Sequence, residues 1–63
     1  MTPGTLVIFK PETWTRYQRE LGINEPQPEG GVTVIHIAGE RTTLRGYVYL
    51  GLPYAWCRID ELV

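Results

Sequence analysis

Hydrophobic and polar positions along the chain fall into short runs punctuated by proline and glycine. "TLVIFK", residues 5–10, is β-branched and aromatic, entered through "TPG" and closed by Pro11, which are the limits of a strand. Alternation places Val7 and Phe9 on one face and Leu6, Ile8 and Lys10 on the other. The period then changes. In "PETWTRYQRELG" Trp14, Tyr17 and Leu21 recur at spacings of three and four, one stripe of a helix. Pro11 and Glu12 suit the first turn, Gly22 suits the position after the last, and Arg16 and Glu20 stand i,i+4 on another face. A short helix or helical turn over residues 12–21 is predicted. An irregular loop competes with it, because two threonines and two aromatics have poor helix propensity.

"INEPQPEGG", residues 23–31, carries Pro26, Pro28, Gly30 and Gly31 and reads as a long acidic surface loop. Val32–Ile37 is the strongest strand signal. It is apolar on both faces and therefore expected to be central and covered on each side. "TTLRGYVYLGL" predicts the next strand, with Gly46 at a bulge or bend, and "PYAWCRI" the one after a turn over Gly51–Tyr54. "DELV" reads as a helical turn and a short closing pairing segment. About five strands make a small sheet with two vulnerable edges, and curling into a partly open barrel removes them. The expected fold is mainly β: one domain over residues 1–63, with one helical element after the first strand.

The layout resembles the SH3-like small barrels. The features that carry the likeness are a strand after "PG", a long first loop, a three-stranded meander, and "W-x-R-x-D-E-L-V" at residues 56–63 as one helical turn into a closing strand. The resemblance implies that fold. It implies no particular function, since such barrels host many unrelated ones, and the "ALYDY" sequence of signalling SH3 domains is absent.

Size sharpens the picture. A 63-residue chain buries only about 60% of the surface exposed when unfolded, so its margin of stability is thin. One cysteine, Cys57, and one histidine, His36, exclude a disulfide or a zinc cluster built within one chain. The first residues lack the pattern of a signal peptide, no apolar run approaches the roughly 20 residues of a membrane span, and the lone thiol fits a reducing compartment. A cytoplasmic protein with no membrane partner is expected. The net charge of −1 and the absence of a basic run disfavour non-specific nucleic-acid binding, although five of the six cations are arginine.

Candidate chemistry is sparse. His36, flanked by Ile35 and Ile37, shares a face with Val32 and Val34 by alternation and is expected to be structural. Cys57 shares a face with Ala55 and Ile59 and is expected to be a small core hydrophobe; a Cys57–His36 nucleophile pair requires the two to be adjacent and open. Asp60 and Glu61 are neighbours and form no paired acid–base site; Asp60 is expected to cap the last turn. Glu25 and Glu29 are solvated or offer an acidic contact. No phosphate loop, nucleophile elbow, metal spacing or dinucleotide fingerprint is present, so neither an enzyme nor a cofactor is expected.

The aromatics remain. "YVYLGLPYAWC", residues 47–57, holds four of the seven in the chain. Alternation sends Val48, Leu50, Ala55 and Cys57 to the core and Tyr47, Tyr49, Tyr54, Trp56 and Arg58, joined by Arg45, to the opposite face. Amphipathic rings beside arginine are typical of protein interfaces and equally able to stack bases. The alternative is that Trp14, Tyr17 and Leu21 fold over this face as a second small core. Three functions follow: a protein-interaction module or accessory subunit, a nucleic-acid-binding regulator using Arg41, Arg45 and Arg58, or a self-associating subunit. Trp14 and Tyr17, with Glu25 and Glu29, are the secondary contact candidates.

Overall fold

The computed structural model describes residues 1–63. Pro11–Leu21 is an α-helix, α1, so the loop alternative is excluded. Lys10 precedes it in extended conformation with no side-chain cap, and Pro11 at the first turn removes one N–H that would lack a partner. Glu12 lies in the first turn and Arg19 in the last, each complementing the helix dipole. Gly22 ends the helix in the left-handed region at φ 67°. The next N–H, of Ile23, then donates back to Gln18 O at 3.0 Å, and Ile23 packs on the core. This is a Schellman-type stop.

The strands are shorter than the hydrophobic runs suggest. Leu6–Val7 (β1) pairs antiparallel with Val32–Thr33 (β2), in register Leu6↔Thr33 and Val7↔Val32. His36–Ile37 (β3), Tyr47–Tyr49 (β4) and Trp56–Arg58 (β5) form a second antiparallel sheet in that order. The expected single strand over Val32–Ile37 divides because it changes partner midway. Val34 N–H donates to Thr5 O and Ile35 N–H donates to Tyr49 O, each at 2.9 Å. The alternation slips at that change: Val34 is buried, while Ile35 and His36 are both exposed. The expectation that this segment is covered on both faces is therefore corrected. Residues 39–46 run through successive turns rather than extending β4, with Arg45 N–H bonded to Thr42 O and Tyr47 N–H to Leu44 O.

After β5 a 3-10 turn, Ile59–Glu61, leads into an antiparallel bridge between Leu62 and Phe9. Lys10 N–H to Glu61 O and Val63 N–H to Ile8 O flank that bridge. The chain forms two small antiparallel sheets and one helix, and no closed barrel. No helix is long and apolar enough to cross a membrane.

Phe9 centres the core. Its ring lies 5.7 Å from Trp14, 5.0 Å from Tyr17 and 5.2 Å from Tyr54, and Tyr17 Oη donates to Tyr54 O at 3.1 Å. Such rings supply large buried area and about 1 kcal/mol per well-oriented pair, which a chain of this size needs. Val7, Val34, Val48, Leu50, Cys57 and Leu62 complete the buried set. Two polar devices tie the periphery to it. The Gln27 side chain accepts from Phe9 N–H at 3.0 Å and donates to Phe9 O at 3.1 Å, replacing a strand on that edge. The Glu61 carboxylate accepts from Arg16 of α1 and, at 3.2 Å, from Arg58 N–H at the start of the 3-10 turn. Glu61, not the expected Asp60, thus holds that turn.

Candidate functional site

The β3–β4–β5 sheet has two faces of different chemistry. Register pairs Ile37 with Val48 and Val48 with Cys57, and these side chains point into the core. The intervening positions point outward, pairing His36 with Tyr49, Tyr49 with Trp56, and Tyr47 with Arg58. On this outer face the Tyr49 and Trp56 rings meet at 5.2 Å, tilted by 57°, and the His36 ring stands edge-on to Trp56 at 6.1 Å. His36 is exposed, and Tyr47, Tyr49 and Trp56 are half-buried.

Trp14 and Tyr17 do not cover these rings. They are buried in the core, 8% and 3% exposed, against Phe9 and Tyr54. As surface contacts they are therefore corrected, and the second small core over the outer face does not exist. Tyr54 is likewise corrected from the outer face to the core. Ala55, at φ 57°, is in the left-handed region, which breaks the alternation just before β5. His36 is the opposite error. Counting from Val34 put it on the face of Val32 and Val34, and the change of hydrogen-bonding partner at Val34–Ile35 brings it out beside Trp56. Counted from its pairing with Tyr49, it falls on the ring face.

At one end of the outer face lies an open cleft of about 350 Å³, lined by Arg45, Gly46, Tyr47, Arg58, Ile59 and Asp60. Arg58 Nη2 donates to Asp60 at 2.8 Å, both groups well exposed. Arg45 and Arg41 are exposed and make no ion pair. Glu25 and Glu29 are exposed, and Glu25 is tied to α1, its carbonyl accepting from Trp14 Nε1 at 3.0 Å and from Gln18 Nε2 at 3.1 Å. Glu25 is thus held beside Trp14 rather than beside the outer rings.

Three titratable groups, Arg16, Tyr17 and Cys57, are shifted by their surroundings. Burial raises the pKa of the Cys57 thiol, and burial together with the neighbouring Cys57 raises that of the Tyr17 phenol. Desolvation pulls the Arg16 pKa down, and the Glu61 carboxylate, with smaller help from Tyr17 and Glu20, more than offsets it. Cys57 faces the core and His36 faces outward, so they form no nucleophile–base pair. No group of three or more His, Cys, Asp or Glu side chains is placed to hold a metal ion. The chain matches no protein-family model, no curated protein and no solved structure.

Proposed function

We propose that this chain is a small SH3-like, non-catalytic interaction module that binds a partner protein through the outer face of the β3–β4–β5 sheet. The observation that carries this reading is the adjacency of His36, Tyr49 and Trp56 on the side of the sheet away from α1 and the core. Rings of this kind bury area at low entropic cost and keep a polar tip for hydrogen bonding, which is why they concentrate at protein interfaces. The SH3-like reading is supported by the order of β1, a long helical connection, the three-stranded meander, the 3-10 turn and a last segment paired with residues 8–10.

The test compares wild-type chain and Trp56→Ala as immobilised baits in an extract of the source cell. Folding of both is verified beforehand by far-UV circular dichroism. The reading expects proteins retained by the wild type and lost with Trp56→Ala, and retained equally by a Leu52→Ala control, since Leu52 is 84% exposed and lies in the turn outside β4 and β5. Retention unchanged by Trp56→Ala refutes it. Retention of nucleic acid that falls steeply between low and moderate salt transfers the face to the nucleic-acid reading.

A further inference from the structure

We infer that the partner segment is an extended, acidic peptide that sets one apolar side chain on the Tyr49–Trp56 rings and a carboxylate in the Arg45–Arg58 cleft two residues further on. The inference rests on the proposed reading of the outer face and adds the chemistry of what it binds. Its basis is register. The Tyr49↔Trp56 pair and the Tyr47↔Arg58 pair are separated by two residues on each strand, about 7 Å along the sheet. The rings supply an apolar platform at the first pair. At the second, Tyr47 and Arg58 line the cleft together with Arg45, whose guanidinium has no intramolecular carboxylate. An extended peptide advances by the same distance over two residues and returns its side chain to the same side. A residue at i on the rings therefore puts the side chain at i+2 over the arginines.

The charge at that position selects a carboxylate. Arg58 gives one guanidinium nitrogen to Asp60 at 2.8 Å, and Arg45 is left to complete an ion pair with an incoming acid. The same arrangement is poor for a run of phosphates. Asp60 lines the cleft and the chain has a net charge of −1, so one incoming negative group is matched and a chain of them is not.

The test is an amide and indole NMR titration of the full 15N-labelled chain with four probes. These are acetyl-Gly-Leu-Ser-Glu-Gly-amide, the same peptide with Lys for Glu, the same peptide with Gly for Leu, and a ten-nucleotide oligo(dT). Expected are saturable shifts of the Trp56 Nε1–H and of the Tyr47, Tyr49 and Arg45 amides with the first peptide. Binding should be about fivefold weaker for the Lys and for the Gly versions, the size of one exposed ion pair or one partly buried apolar contact. Arg45→Glu should invert the preference between the Glu and Lys peptides while leaving the spectrum otherwise folded. Equal binding of the Glu and Lys peptides overturns the inference and leaves the interaction face standing. So does the absence of shifts with every probe, because the bait comparison with Trp56→Ala tests the face independently. Shifts with oligo(dT) alone overturn both.

Discussion

Tyr49 and Trp56 face each other across β4 and β5, ring centroids 5.2 Å apart, on the side of the sheet opposite Val48 and Cys57. Trp14, the other tryptophan, stacks on Phe9 in the core. The two rings therefore differ in what their removal costs. Trp56→Ala removes a half-buried ring and its contacts with Tyr49 and His36, at an expected cost of about 1–2 kcal/mol. Trp14→Ala opens a cavity beside Phe9 and leaves Glu25 O with one donor fewer, at an expected cost of about 3–5 kcal/mol. Since a domain of this length has roughly 3–9 kcal/mol in total, Trp14→Ala should lose a large share of its stability and Trp56→Ala a small one. Urea titrations followed by far-UV circular dichroism decide it. Equal losses would contradict the separation of the two faces.

Gln27 is the one side chain that hydrogen-bonds both backbone groups of Phe9. Gln27→Ala leaves that N–H and C=O unpartnered next to the most buried aromatic ring, a loss of about 2 kcal/mol. Pro26→Ala, at an exposed neighbour, should change stability little. Native-state hydrogen exchange gives the sharper readout: the Phe9 amide should lose protection in Gln27→Ala well before those of Val48 and Cys57. Unchanged exchange at Phe9 rules out the strand-replacing role.

Trp14 and Gln27 also show what was legible in the sequence. The helix stripe of Trp14, Tyr17 and Leu21 is local, set by spacing within α1, and could be read directly. The alternation of Tyr47, Val48 and Tyr49 against Trp56, Cys57 and Arg58 was equally local, and register preserves it. What failed was set by contacts distant in the chain. Whether Trp14 covered the Trp56 face or the opposite one depends on where α1 docks, and spacing does not encode that. The phase slip at Val34–Ile35 arises because the segment serves two sheets, so His36 changed sides. Ala55 in the left-handed region carried no signal, since alanine is not a turn residue, and it took Tyr54 into the core. The Gln27 bond to Phe9 lies inside a loop whose prolines and acids read as solvated.

Two glycines with positive φ separate backbone strain from steric collision. A Cβ on Gly31, at φ 79°, would sit 2.7 Å from Val7 O, where β1 and β2 are paired. A Cβ on Gly46, at φ 85°, would meet nothing within 4 Å. Gly46→Ala should therefore cost only the left-handed conformation, about 1–2 kcal/mol. Gly31→Ala must add to this the parting of the β1–β2 pair, and should be the more destabilised by at least a further 1 kcal/mol. Thermal melts of the two variants side by side provide the comparison. A Gly46→Ala melt as low as that of Gly31→Ala would show that the Val7 carbonyl yields freely.

Stability should fall on the alkaline side, and in two stages. Cys57 and Tyr17 are neutral when protonated, and burial raises both pKa values above their reference values of 9.0 and 10.0. The unfolded chain therefore loses these protons first. Below about pH 9 both groups are protonated in either state and their contribution is fully present. As pH rises past 9 the unfolded state binds fewer protons than the native state, so unfolding free energy declines, first through Cys57 and then, past pH 10, through Tyr17 as well. Urea midpoints at pH 7.5, 9.5 and 11 should fall in that order. Tyr17→Phe should start lower by about 1 kcal/mol, having lost the bond to Tyr54 O, yet decline less between pH 9.5 and 11. Cys57→Ala should decline less between pH 7.5 and 9.5. The same burial makes the thiol slow toward a disulfide reagent in the native protein and fast in urea, so the labelling rate at pH 8 should track global opening. Rapid native labelling would place Cys57 at the surface, against its 0% exposure and its pairing with Val48 on the inner face of the sheet.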